Sequence, residues 1–73
     1  MPIVNVKTEI TGIVWKILKE VGDDVEEDEP ILILESMKMQ IPVAAPEEGR
    51  VEEVLVNEED TVTEGTVVAR VAV

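Results

Sequence analysis

The stretch ILILESMKMQIPV, Ile31 to Val43, decides how this chain folds. Read locally it describes a helix. Pro30 sits at a first helical position with acids before it, and Leu, Glu, Met, Lys, Met and Gln follow up to Pro42. All are good helix formers, so a helix from Ile31 to Ile41 is one expectation, with Lys38 an ordinary surface lysine, Met37 at the rim and Met39 filling the core. The other is a pair of strands, Ile31 to Glu35 and Met39 to Val43, joined by a turn of Ser36, Met37 and Lys38. The stretch by itself does not choose between them, and the rest of the chain does.

An internal repeat supplies the choice. At an offset of 37, Gly12, Val14, Leu18, Asp23, Val25 and Glu27 fall on Gly49, Val51, Leu55, Asp60, Val62 and Glu64 without a gap. Ile17 on Val54, Ile31 on Val68 and Leu34 on Val71 add apolar matches. Each half reads as glycine, apolar strand, acidic turn, short Asp-x-Val segment, turn, apolar strand. The partner of Ile31 to Leu34 is therefore the β-rich run Val67-Val68-Ala69-Arg70-Val71, which has no helical character. The first copy is expected to be a strand as well.

Two copies of a β unit, each too small to bury its own apolar face, predict two similar sheets related by a pseudo-twofold and packed together. Strands are predicted over Ile3 to Lys7, Ile13 to Lys19, Ile31 to Glu35, Met39 to Val43, Val51 to Val56 and Val67 to Val71, with short pieces near Val25 and Val62. Turn signals separate them at Gly22-Asp23, Asp28-Glu29-Pro30, Pro46 to Gly49 and Glu64-Gly65. The fold class is all-β: a flattened barrel or sandwich of two four-stranded antiparallel sheets in a single domain over 1–73, with repeat halves at about 12–36 and 49–73. One signal runs against this. Ile13, Val14, Ile17, Leu18 and Val21 have helical spacing. The segment lies in nine residues between glycines, short for a helix, and its counterpart is rich in β-branched residues, so strand is the expectation there too.

Composition narrows function. Seventeen acidic residues against six basic give a formal charge of −11, which repels nucleic acid and anionic membranes. The acid excess reads as a solvated surface that aids solubility, with docking onto basic partner proteins as the second reading. Trp15 is the sole aromatic residue, so no platform exists for stacking bases or sugars. With neither His nor Cys there is no disulfide, no thiolate or imidazole metal site, and no His or Cys to serve as base or nucleophile. The carboxylates lie in turns and on solvated faces, so no residue is expected to be catalytic and no metal site is expected. No apolar run approaches a membrane span, and the first residues lack the regions of a signal peptide, so a cytoplasmic protein is expected.

Lys38 then stands at the junction of the two repeats, in a turn with none of the Gly, Asn or Asp that hairpins favour. A turn that departs from turn chemistry is a place to look for function. Here the sequence resembles a known family. Glu35-Ser36-Met37-Lys38-Met39 is similar to the attachment motif of biotinyl domains, in which a lysine between two methionines at a hairpin apex is biotinylated by biotin protein ligase. The resemblance runs through Gly12 to Leu18, Val21 to Val25, Ile41 to Pro46, Gly49-Arg50-Val51 and Glu64-Gly65, and it is closest to a minimal biotin carboxyl carrier domain. Asp28 departs from it, standing where such domains usually carry Gly and where the second copy has Gly65. Lys7 to Thr11 also lacks the usual Ala-Pro-rich wording, and the gap-free repeat leaves no room for the protruding loop of some acetyl-CoA carboxylase carriers.

The resemblance implies a carrier rather than an enzyme. Biotin would be joined covalently to Lys38, carboxylated by a biotin carboxylase with ATP and bicarbonate, and would deliver its carboxyl group at a separate carboxyltransferase. Lys38 is the attachment residue implied, with Glu35, Ser36, Met37 and Met39 as the flanking motif. The alternatives are a lipoyl carrier domain of a 2-oxo acid dehydrogenase type complex, which resembles Asp-Lys-Ala at this point, and an unmodified module that binds protein through Met37 and Met39.

Overall fold

The computed structural model describes residues 2–73. It contains eight strands and, among the described residues, no helix: β1 (Ile3–Lys7), β2 (Gly12–Ile17), β3 (Asp24–Val25), β4 (Pro30–Ser36), β5 (Met39–Ala44), β6 (Gly49–Val54), β7 (Thr61–Val62) and β8 (Val67–Ala72). Two four-stranded antiparallel sheets result, in the orders β1-β8-β6-β3 and β5-β4-β2-β7. Adding 37 to β2, β3 and β4 gives β6, β7 and β8, and subtracting it from β5 gives β1, to within one residue at the strand ends, so one sheet is the repeat image of the other. The helix over Ile31 to Ile41 does not form. That segment is β4, a two-residue turn and β5.

The helical spacing of Ile13 to Val21 has a β explanation. Between Val14 and Lys16 the β2–β4 register shifts, and between Val51 and Glu53 the β6–β8 register shifts in the same way. Each shift is a bulge, in which two residues oppose one and the alternation of faces skips a step. Val14 and Val51 are wholly buried, and the next inward residues are the half-buried Ile17 and Val54, three positions on. A strand with a bulge therefore imitates the spacing of a helix. Both strands also end sooner than expected, at Ile17 and Val54. The Leu18 and Lys19 N–H groups both donate to the Ile31 carbonyl, at 2.8 and 3.1 Å, so the ladder has run out of separate acceptors.

The halves are bonded to each other by reciprocal pairs. Gly22 N–H donates to Val51 O at 2.8 Å, and Glu59 N–H to Val14 O at 2.7 Å; Val51 N–H returns to Asp23 O and Val14 N–H to Asp60 O, both 2.8 Å. Side chains follow the same rule. The Asp23 carboxylate accepts from Glu20 N–H at 2.9 Å, and the Asp60 carboxylate from Asn57 N–H at 2.8 Å. Glu29 accepts from Glu26 N–H, and Thr66 from Thr63 N–H, at the next turn of each half. These acids fasten turns as well as facing solvent.

Between the sheets lies a core of Val, Ile and Leu, with Ile31, Leu32, Leu34, Val51, Val68 and Val71 fully buried. Each such side chain stabilises the fold by about 1.5–3 kcal/mol relative to exposure. In a domain this small few others can replace it. The approach to Gly12 is tied down by polar bonds: the Thr8 hydroxyl, buried, donates to Ile10 O at 2.9 Å, and Gly65 N–H donates to Thr8 O at 2.8 Å.

The body measures 36 × 18 × 18 Å. At one end β4 turns into β5, close to Gly12 and Val62. At the other Val25, Gly49 and Ala72 gather, and Val73 N–H donates to Pro2 O at 3.0 Å.

Candidate functional site

The β4–β5 hairpin places Lys38. Leu34 pairs with Ile41, Glu35 with Gln40 and Ser36 with Met39, which leaves Met37 and Lys38 as the whole turn. Ser36, expected as a turn residue, is the last residue of β4. With two central residues, a hairpin matches the right-handed twist of its strands when both have positive φ, a conformation that normally calls for Asn-Gly. Met37 and Lys38 adopt it without either, at φ 52° and 66°. Left-handed backbone costs an L-residue roughly 1–2 kcal/mol. The register of six paired residues below the turn holds it there.

Strand β2 supports the base of the hairpin through a missing side chain. A Cβ at Gly12 would stand 2.7 Å from the Glu35 carbonyl oxygen and 3.5 Å from Ser36 Cβ. Gly49 occupies the same place in the other sheet, where a Cβ would run into the Ala72 carbonyl oxygen. In the sequence Gly12 marks the repeat and the family resemblance but not this contact; the signal of its role is its identity with Gly49.

Around the apex the side chains face water. Met37 is 92% exposed and Met39 63%, so neither fills the core, and Lys38 and Glu35 are exposed too. Among the described residues the ion pairs engage Lys19 with Glu29 at 2.9 Å, Arg50 with Asp24 at 3.4 Å and Arg70 with Glu53 at 3.0 Å, and none engages Lys38. Hydrogen bonding to Glu29 raises the Lys19 ammonium above its usual range, and the same bond holds the Glu29 carboxyl below its own. An open recess of about 960 Å³ lies at the opposite end of the body, lined by Lys19, Asp24, Glu29, Gly49, Arg50 and Ala72. Chemically, the apex offers one primary amine on a rigid projection, flanked by two soft apolar side chains.

Comparison with known proteins matches residues 1–71 to the family described as "Biotin-requiring enzyme", the biotin/lipoyl attachment domain. The chain belongs to the biotin/lipoyl attachment family. It is 43% identical over 63 residues to the biotin/lipoyl attachment protein of Bacillus subtilis, covering 86% of each chain. A second relative, the dihydrolipoyllysine-residue acetyltransferase component of the pyruvate dehydrogenase complex of Corynebacterium glutamicum, is 42% identical over 60 residues, which are 82% of this chain and 9% of that one. Among solved structures, the urea carboxylase of Kluyveromyces lactis superposes with a TM-score of 0.93 at 33% identity, over 99% of this chain and 6% of that one. Relatives of this attachment domain thus include a protein of nearly its own length and proteins many times longer.

Proposed function

We propose that the chain is a biotin carboxyl carrier, a single domain biotinylated at Lys38 by biotin protein ligase, which serves a biotin carboxylase and a carboxyltransferase in the cytoplasm and catalyses nothing itself. The observation that carries this reading is the Met37-Lys38 turn: a lysine between two methionines, at the apex of a hairpin whose backbone disfavours both residues. The site fits the group. The amine is exposed on a two-residue turn, with room for an amide-linked chain, and the exposed thioethers of Met37 and Met39 offer it apolar company.

When bound, biotin supplies a ureido ring that accepts and releases a carboxyl group. The residues of the chain do the rest by geometry. Lys38 lengthens the reach of the tether, and the paired strands below fix the direction in which it leaves. A tethered group reaches a second active site at an effective concentration that free diffusion does not match. The apex carries no His or Cys to act as a base on the amine, so that base belongs to the ligase. The flanking Glu35, Ser36, Met37 and Met39 present the amine rather than activate it.

A lipoyl carrier is the second reading, favoured by the 42% identity to the acetyltransferase component. Intact mass separates the two. Wild-type chain incubated with biotin protein ligase, biotin and ATP is expected to gain one biotinyl increment, and Lys38→Arg none, with unchanged thermal midpoint. A lipoyl increment from lipoate ligase with no biotinyl increment would reverse the assignment, and biotin mapped to Lys7, Lys16 or Lys19 would remove Lys38 from it.

A further inference from the structure

The two sheets share one backbone plan, so their outer faces can be compared position by position. On the sheet of β1, β8 and β6, Arg70 is opposite Asn5 on one side and Glu53 on the other. It bonds both: Arg70 Nε to Asn5 Oδ1 at 3.2 Å, and Arg70 Nη1 to Glu53 Oε1 at 3.0 Å. The same three positions on the sheet of Lys38 are Ile33, Pro42 and Lys16, again paired across β4. No polar ladder is possible there. Two further positions differ in the same sense: Ile13, 47% exposed, replaces Arg50, and Trp15, 46% exposed, replaces Glu52. Identical backbone therefore carries a self-satisfied polar face on one side and, on the other, an apolar strip with a half-buried centre at Ile33, interrupted by the exposed Lys16.

We propose that this strip, Ile13, Trp15, Ile33 and Pro42, is the surface on which the biotin-joining ligase docks, a partner face with an apolar centre and a basic rim. Position and charge both argue for that occupant. Ile13 is paired with Glu35, three residues before Lys38 and on the same sheet, so an enzyme whose active site receives the amine lies over this end. The strip is bordered by Glu35 on β4 and by the acidic turn Glu58-Glu59-Asp60, whose Glu58 carboxylate accepts from Ile17 N–H at 3.1 Å. On a chain of charge −11, a basic rim around an apolar centre is the complement of that arrangement. The inference rests on the biotin reading of Lys38 and adds to it how the lysine is found.

The test exchanges the two faces. A graft of Lys16→Glu, Ile33→Arg and Pro42→Asn rebuilds the ladder that the other sheet already tolerates, and Ile13→Thr is a milder change should the graft fail to fold. Biotinylation by purified ligase is followed at varied chain concentration. The expected result is a rise in KM for the chain of about tenfold or more with kcat nearly unchanged, and no change for Arg50→Ile on the opposite face. Unchanged KM in the folded graft, or in Ile13→Thr if the graft melts, overturns the proposal, and so does a loss confined to kcat. Sedimentation that finds wild-type dimers dispersed by the graft would assign the strip to a second copy instead. Wild-type chain that takes no biotin would overturn the biotin reading and this inference with it, whereas labelled wild type with equally labelled variants overturns this inference alone.

Discussion

Asp28 and Gly65 hold the same left-handed backbone at matching places in the two halves, with φ of 68° and 88°. The exchange is reversed one turn earlier, where Gly22 has φ 96° and its counterpart Glu59 has φ 77°. Each half thus needs two left-handed residues and each supplies only one glycine. Asp tolerates the conformation better than Glu, because its short side chain can bond locally.

Asp28→Gly is expected to be neutral or to stabilise by up to about 1 kcal/mol, since relief of the left-handed cost is partly offset by the freedom glycine has when unfolded. Glu59→Gly is expected to stabilise at least as much. In a domain of this size 1 kcal/mol moves the thermal midpoint by roughly 4–8 °C. A clear fall in both variants would mean that these carboxylates make bonds outweighing the backbone strain.

Gly12→Ala and Gly49→Ala form a matched pair. Both drive a methyl group into a backbone carbonyl, of Glu35 in one case and Ala72 in the other, and each is expected to cost about 1–3 kcal/mol. Only the first disturbs the hairpin base. Biotinylation measured well below the midpoint should therefore slow in Gly12→Ala and not in Gly49→Ala; equal slowing would show that β2 does not support the apex.

The two-residue turn can be tested by lengthening it. One glycine inserted between Met37 and Lys38 leaves the lysine exposed and the strands paired, yet removes the constraint of two successive positive φ angles. Labelling is expected to fall by about tenfold or more, with little change in midpoint, because small misplacements of a reacting group are costly. Full labelling of the insertion variant would mean that exposure suffices.

The Lys19–Glu29 pair predicts a pH dependence. The Glu29 carboxyl is lowered from 4.5, so its contribution is present above that value and is lost as pH falls through the depressed folded value. The Lys19 ammonium is raised from 10.5, so its contribution is present below that value and is lost as pH rises through the elevated folded value. The difference in midpoint between wild type and Glu29→Gln should be largest between these limits and shrink on either side. Both side chains are half-buried at the surface and still screened by water, so the effect is small, and a difference constant from strong acid to strong alkali would remove the pair from the account.

Much of this was legible because the repeat carries long-range information that local propensity lacks. Ile31 to Ile41 has the composition of a helix, and only its kinship with Val67 to Val71 marked it as strand. Lys38 stood out through its methionines and its place between the halves. Less legible were features made by tertiary contact. A bulge at Trp15 reads as helical spacing, because one extra residue shifts the period of two. Asp23, Glu29 and Asp60 read as solvated charge, since a carboxylate that caps a turn is the same in sequence as one that does not. The strip around Ile33 emerges only when two faces can be laid over each other.

The bond from Val73 to Pro2 has a meaning for where this domain can be held. Shifted by one repeat, Ser36 falls on Val73 and Met39 on Pro2, so this bond is the counterpart of the pair that closes the lysine turn. Among the described residues the same pairing therefore occurs twice, once beneath the lysine turn and once between Pro2 and Val73. On the biotin reading, a partner that holds the domain at the Pro2–Val73 pair leaves the lysine turn clear.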